Sequence, residues 1–199
     1  SVGAGSKALA EQPVGARISI LGPIGRGFVP LESHPIRLLL GGGVGIPPMV
    51  FLSEELLTEA RPPALVVMGS EVPFPFEPGR TTDSIAGIKH TVDATMPLMD
   101  EWAIPSRLAS LQGYDGTFNG YVTALAESWL DALPPEDLSR VSIYSCGPTP
   151  MLRSVAALAQ ARGIPCQVSL EEFMACAVGG CAGCAVRVTV NGHSAMQRV

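Results

Sequence analysis

Three of the five cysteines in this 199-residue chain fall close together, as Cys176-Ala-Val-Gly-Gly-Cys181-Ala-Gly-Cys184. The C-x4-C-x2-C spacing is that of the first three thiolate ligands of a plant-type [2Fe–2S] cluster. Such a loop must let its thiolates converge while backbone N–H groups point at the cluster sulfides. Gly179, Gly180 and Gly183 supply the small, permissive backbone this needs. Three structural cysteines in a glycine-rich turn is the plainer alternative, and the specificity of the spacing weighs against it. A zinc site would need a further His or Cys nearby, and His193 reads better as a surface residue at a strand turn. The cluster also needs a fourth thiolate. Cys146 and Cys166 are better explained otherwise, and the plant-type arrangement places its last cysteine well downstream, so the fourth ligand is expected beyond Val199.

A second constellation is Gly41, Gly42, Gly43, Val44, Gly45, Ile46, Pro47 and Pro48, directly after an apolar strand and at the start of a helix. Glycines let backbone approach a pyrophosphate, and a helix N-terminus favours its negative charge. The run is not G-x-G-x-x-G, and a plain tight connection competes with a nucleotide cradle until the strand–turn–helix context is counted. A third, Ser145-Cys146-Gly147-Pro148-Thr149-Pro150-Met151, also follows a strand and opens a helix. Ligands of open α/β sheets sit at such strand ends, where the Cys146 thiol could lie against a nicotinamide ring. Taken alone, a small buried residue at a turn explains Cys146 better.

The elements that must position these groups follow from hydrophobic pattern. The segments 36–40, 64–68, 107–110, 141–145 and 167–170 read as strands, the first two as continuous apolar runs, and 47–60, 121–133 and 150–162 read as helices. Their alternation implies βαβ units and a parallel sheet covered by helices on both faces. Residues 17–21 (RISIL) read as a short strand, 185–192 as a hairpin, and the Pro-rich stretch from Glu71 to about Pro105 as loop of open role. The first thirty or so residues lack the alternating rhythm and read as the tail of a β-rich domain. The expected division is 1–31, 32–170 for the α/β domain, and 171–199 for the cysteine segment.

Composition narrows the function class. The chain is 47% hydrophobic and 16% charged, which suits packed domains rather than disorder. A net charge of −5 leaves no basic stripe for phosphate neutralisation, so nucleic acid is not an expected partner. Ile36 to Leu52 is the longest apolar run and is broken by Gly41, Gly42, Gly43, Gly45, Pro47 and Pro48, so no membrane span is expected. Clustered cysteines and the absence of a signal-like apolar segment favour a reducing compartment, the cytoplasm. A start without Met suggests a fragment.

Taken in order, these motifs resemble the electron-transfer subunits of dihydroorotate dehydrogenases, within the ferredoxin-NADP reductase-like flavoproteins. The resemblance runs through VGAGSKAL (2–9), LGPIGRGF (21–28), LLLGGGVGIPPMVFLSEEL (38–56), CGPTPML (146–152) and SLEEFMACAVGGCAGC (169–184). It implies an FAD-binding barrel, mostly absent here, then an NAD-binding α/β domain and a C-terminal cluster loop. It implies FAD contacts from Gly5 and Ser6, with Ser where the family has Thr. Arg26 stands where Asn is common, and the family's Arg-x-Tyr-Ser flavin motif has no counterpart. NAD contacts are implied for Gly41 to Pro47 and for Gly147 and Pro148. It also implies a partner, an FMN-containing catalytic subunit in a heterotetramer. Electrons would then pass from that FMN through the cluster and FAD to NAD+, in pyrimidine biosynthesis. Independently of any family, a one-electron cluster and a two-electron nicotinamide require a flavin between them. Two other readings stand beside this one: a reductase component of a hydrogenase or oxygenase, and a non-catalytic Fe–S or zinc module.

Overall fold

The computed structural model describes residues 3–170, 172, 175–190 and 193–198. In chain order the first elements are helix α1 (Ala4–Ala10), strand β1 (Ile36–Gly42), helix α2 (Ile46–Thr58), strands β2 (Leu65–Gly69), β3 (Gly79–Arg80) and β4 (Ala94–Thr95), and helix α3 (Pro97–Glu101). Next come strands β5 (Ser106–Ser110) and β6 (Phe118–Asn119), helices α4 (Val122–Asp131) and α5 (Pro135–Leu138), strand β7 (Val141–Cys146), helix α6 (Thr149–Arg162), strand β8 (Cys166–Ser169), and strands β9 (Ala185–Val190) and β10 (His193–Arg198).

Six strands form one parallel sheet in the order β6-β5-β2-β1-β7-β8. Unbroken apolar runs build its centre because strands covered on both faces have no solvent side to keep polar. One face carries Leu38, Leu40, Val67 and Ile143 under Leu125, Trp129 and Val155 of α4 and α6. The other carries Leu39, Val66, Met68 and Tyr144 under Met49, Leu52 and Leu56 of α2. Burying sets of this size supplies most of the folding drive, at about 25 cal/mol per Å² of apolar surface. From β1 the chain runs outward through β2, β5 and β6, then crosses to β7 and β8 on the other side of β1. The strand order therefore reverses between β1 and β7.

The stretch from Glu71 to Pro105 is more than loop. It contains the β3–β4 ladder and α3. Phe74, Phe76, Met99, Trp102 and Ile104 pack on the α2 face, while Ile85, Ile88 and Val92 pack on the α4 face. The segment thus contributes to the core on both faces of the sheet.

Residues 17–21 form no strand. A strand needs a neighbour for its backbone groups and a surface for its side chains. Ile18, Ile20 and Leu21 have neither and stand 53%, 80% and 74% exposed. Helix α1 has no buried residue. Phe28 packs on the sheet, where its ring meets Tyr144 edge-on with centroids 5.8 Å apart. Leu31 N–H donates to Tyr144 Oη at 2.9 Å, and Gln167 brackets Val29, accepting from its N–H at 2.9 Å and donating to its carbonyl at 2.6 Å.

The hairpin is an antiparallel ladder of β9 with β10 that reaches Arg198. Its Asn191-Gly192 connection lies outside the described residues. Among the described residues no helix is long and apolar enough to cross a membrane.

Candidate functional site

The glycine turn between β1 and α2 is one short 3-10 turn, Gly43–Gly45, leading straight into α2 with Pro47 and Pro48 in its first turn. Proline there costs nothing, because the first helical N–H groups have no partner within the helix. Gly45 is demanded by a close approach: a Cβ on it would lie 1.9 Å from the Cys146 carbonyl oxygen. Gly43 is demanded by its backbone, with φ +54°, and has open space around it. The β1–α2 and β7–α6 turns therefore nest against each other at the point where the strand order reverses. Gly41 pairs in register with Cys146, and Ser145 Oγ donates to the Leu40 carbonyl at 2.9 Å, fixing the two strand ends together.

A cleft of about 570 Å³ opens at the carboxyl ends of these strands. Its floor is Gly42, Gly43, Gly69 and Ala109, and its walls are the starts of α4 (Tyr121, Val122, Thr123) and α6 (Pro150, Met151, Ser154), with Pro148 before α6 and Ser70, Glu71 and Val72 after β2. Neither helix start has a side-chain cap. The crevice outside the carboxyl ends of a doubly wound sheet, at its topological reversal, is the ligand position of such folds. Two uncapped helix N-termini add partial positive charge and free N–H groups on its wall. The residues present suit an extended dinucleotide.

The structure brings together Gly42, Gly43 and Pro148 of the sequence-derived set. Gly45, Ile46 and Cys146 lie behind them in the core on the α2 face, where Cys146 shares the Tyr144 side of β7. Val44 is exposed. Gly5 and Ser6 sit on exposed α1, apart from the cleft, and no flavin cradle is formed by the described residues around them. Sequence reasoning did not name Glu71, Tyr121, Met151 or Ser154 as site residues; Glu71 follows β2, Tyr121 precedes α4, and Met151 and Ser154 share the first turns of α6, all with ordinary residue types.

The cysteine loop is shaped for thiolates. Cys181 N–H donates to Cys176 Sγ at 3.4 Å, and Gly183 N–H to Cys181 Sγ at 3.4 Å. Backbone N–H groups, foremost that of Cys181, pull the Cys176 thiol from the ordinary 9.0 down to about 6. The left-handed residues are Gly179 and, directly after two of the cysteines, Ala177 (φ 56°) and Ala182 (φ 54°). The donor chemistry fits three ligands of an iron–sulfur cluster. Among the described residues, however, no three His, Cys, Asp or Glu side chains are gathered as a finished metal site. Cys166 is burial-shifted up to about 11 and packs against the α4-face core.

No family model matches the chain. It is 33% identical to the electron transfer subunit of dihydroorotate dehydrogenase B (NAD+) from Shouchella clausii over 189 residues, covering 94% of this chain and 61% of that protein. It is 30% identical over 200 residues to the subunit of the same name from Caldanaerobacter subterraneus, covering 99% of this chain and 67% of that one. The chain belongs to this family of electron transfer subunits. It spans 61% to 67% of the length of these relatives. Among solved structures, that of an NADH-dependent reduced ferredoxin-NADP oxidoreductase matches with a TM-score of 0.64 and 23% identity, over 98% of this chain and 61% of that one, a likeness of fold.

Proposed function

We propose that this family member is the nicotinamide-binding and cluster-bearing part of an oxidoreductase subunit. It would serve an FMN-containing dihydroorotate dehydrogenase catalytic subunit in cytoplasmic pyrimidine biosynthesis, with NAD+ as terminal acceptor. The observation that carries this is the cleft at the strand reversal, floored by Gly42 and Gly43 and walled by the uncapped starts of α4 and α6.

In this reading Gly41 to Pro47, Gly147 and Pro148 form the turns that take the pyrophosphate. The close nesting of Gly45 on the Cys146 carbonyl keeps both turns at one depth. Cys146, buried at the terminus of β7 behind the glycine turn, would be the thiol nearest the nicotinamide end. Cys176, Cys181 and Cys184 would hold three corners of a [2Fe–2S] cluster, with a fourth thiolate from beyond Val199. Cys181 and Gly183 N–H groups stabilise the thiolate form those ligands need. FAD would be held largely outside this chain's described residues, with Gly5 and Ser6 contributing. When bound, flavin and cluster supply the exchange between single electrons and hydride that neither nicotinamide nor cluster performs alone.

The test is Gly43→Val in the full-length protein. Gly43 has room for a side chain but a left-handed backbone, and the new side chain would stand at the cleft floor. The expected result is loss of NADH-dependent dye reduction with flavin and cluster absorbance unchanged. Retained NADH reactivity would remove the cradle assignment, and iron without acid-labile sulfide, or zinc in its place, would remove the cluster.

A further inference from the structure

We propose that Glu71 is the residue that sets the choice between unphosphorylated and 2′-phosphorylated dinucleotide, favouring NAD(H). The proposal rests on the nucleotide reading of the cleft given above.

Glu71 follows β2 by two residues and stands on the cleft wall. It is the one charged side chain among the residues lining the cleft, and no Lys, Arg or His stands with it there. Its position is built. Ser70 Oγ donates to the Val72 carbonyl at 2.7 Å and accepts from Val72 N–H at 3.3 Å, closing a tight turn with Glu71 at its apex. From the end of the neighbouring strand β5, Leu111 N–H reaches Glu71 Oε1 at 3.5 Å and Gln112 Nε2 reaches Oε2 at 3.3 Å. The carboxylate is thus steered to the mouth of the cleft between the ends of β2 and β5, while its remaining lone pairs stay available.

A carboxylate at the end of the second strand of a nucleotide-binding sheet can accept from both hydroxyls of an adenosine ribose. A 2′-phosphate in the same place would lose that hydrogen bond and set about two negative charges beside a third. No cation on the wall offsets them. Repulsion of this kind at a partly exposed site amounts to a discrimination of roughly tenfold or more.

The test compares binding of ADP-ribose and 2′-phospho-ADP-ribose by calorimetry to the wild-type chain and to Glu71→Gln and Glu71→Arg, with circular dichroism to confirm the fold. These ligands differ only at the ribose and need no flavin or cluster. The expected result is tighter binding of ADP-ribose by the wild type, by roughly tenfold or more. The ratio should shrink in Glu71→Gln and invert in Glu71→Arg. If ADP-ribose binds and the ratio is the same in all three proteins, the assignment of Glu71 is overturned while the nucleotide cleft stands. If neither ligand binds the folded wild type, the cleft reading falls and takes this inference with it.

Discussion

Two thiols in this chain are shifted in opposite directions by opposite causes. Cys176 is drawn down to about 6 by N–H groups, chiefly that of Cys181, that favour its thiolate. Cys166 is raised to about 11 by burial, which penalises its thiolate. In the metal-free chain, iodoacetamide should label Cys176 at a rate that rises as pH passes about 6, while Cys166 stays unlabelled at pH values well above the ordinary 9.0. Peptide mass spectrometry across a pH series measures both, and equal labelling of the two at neutral pH would contradict the N–H stabilisation. The sign for stability follows. Folding holds the Cys166 proton more tightly than the unfolded chain does, so its contribution is full below 9.0 and is lost between there and about 11. Depression of Cys176 works the other way: its contribution is present above 9.0 and lost as pH falls through about 6. At this scale the spacing of Cys176, Cys181 and Cys184 was readable directly from the sequence. The backbone around them was less so. The glycines were expected to carry the unusual φ values, yet Ala177 and Ala182 carry two of the three, at a cost of about 1–2 kcal/mol each.

At the scale of elements, the segment from Glu71 to Pro105 behaves as core. Met99 of α3 is fully buried beneath α2 and the strand face. Truncation by Met99→Ala should destabilise the domain by about 2–5 kcal/mol, the range for large-to-small core changes. Urea unfolding checks it, and a change below about 0.5 kcal/mol, the size typical of surface substitutions, would show the segment to be ornamental. This segment was illegible from sequence for a physical reason. Its strands are two residues long and its helix five, too short for any period to show. Its apolar residues Phe74, Phe76, Met99 and Trp102 are spaced by the path of the chain around the sheet edge. By contrast β1 and β2 declared themselves through the unbroken apolar runs Leu38–Leu40 and Leu65–Met68, because a strand covered on both faces has no solvent side to keep polar. The same logic explains the misreading of 17–21. Its alternation of Ile18 and Ile20 is a strand pattern, and a pattern becomes a strand only where a partner edge exists.

For the whole molecule, the boundary between what is packed and what is not falls near Phe28. Among the described residues before it, Val14, Ile18, Ile20, Leu21 and Ile24 are exposed. Limited trypsinolysis should therefore cut first after Arg17 and Arg26, both exposed, while Arg37 and Arg107, each 3% exposed within the sheet, are spared. Mass spectrometry of the first products checks this, and early cleavage at Arg37 or Arg107 would contradict the sheet's integrity. The topology of that sheet was foreseeable as parallel and helix-covered. The composition of the cleft was not, since its wall combines Glu71 after β2, Tyr121 before α4, and Met151 with Ser154 on α6, three parts of the chain that only the finished strand order makes neighbours.

That dispersal has a thermodynamic consequence. The cleft draws on chain from Gly42 to Ser154, so no partly formed sheet contains it. A molecule that occupies it binds the native state and not the unfolded one, and at a hundred times its dissociation constant adds about 2.7 kcal/mol to global stability. Amide hydrogens of β1, β2, β5 and β7 should then slow in exchange together, as one cooperative unit, wherever along the cleft the molecule makes its contacts.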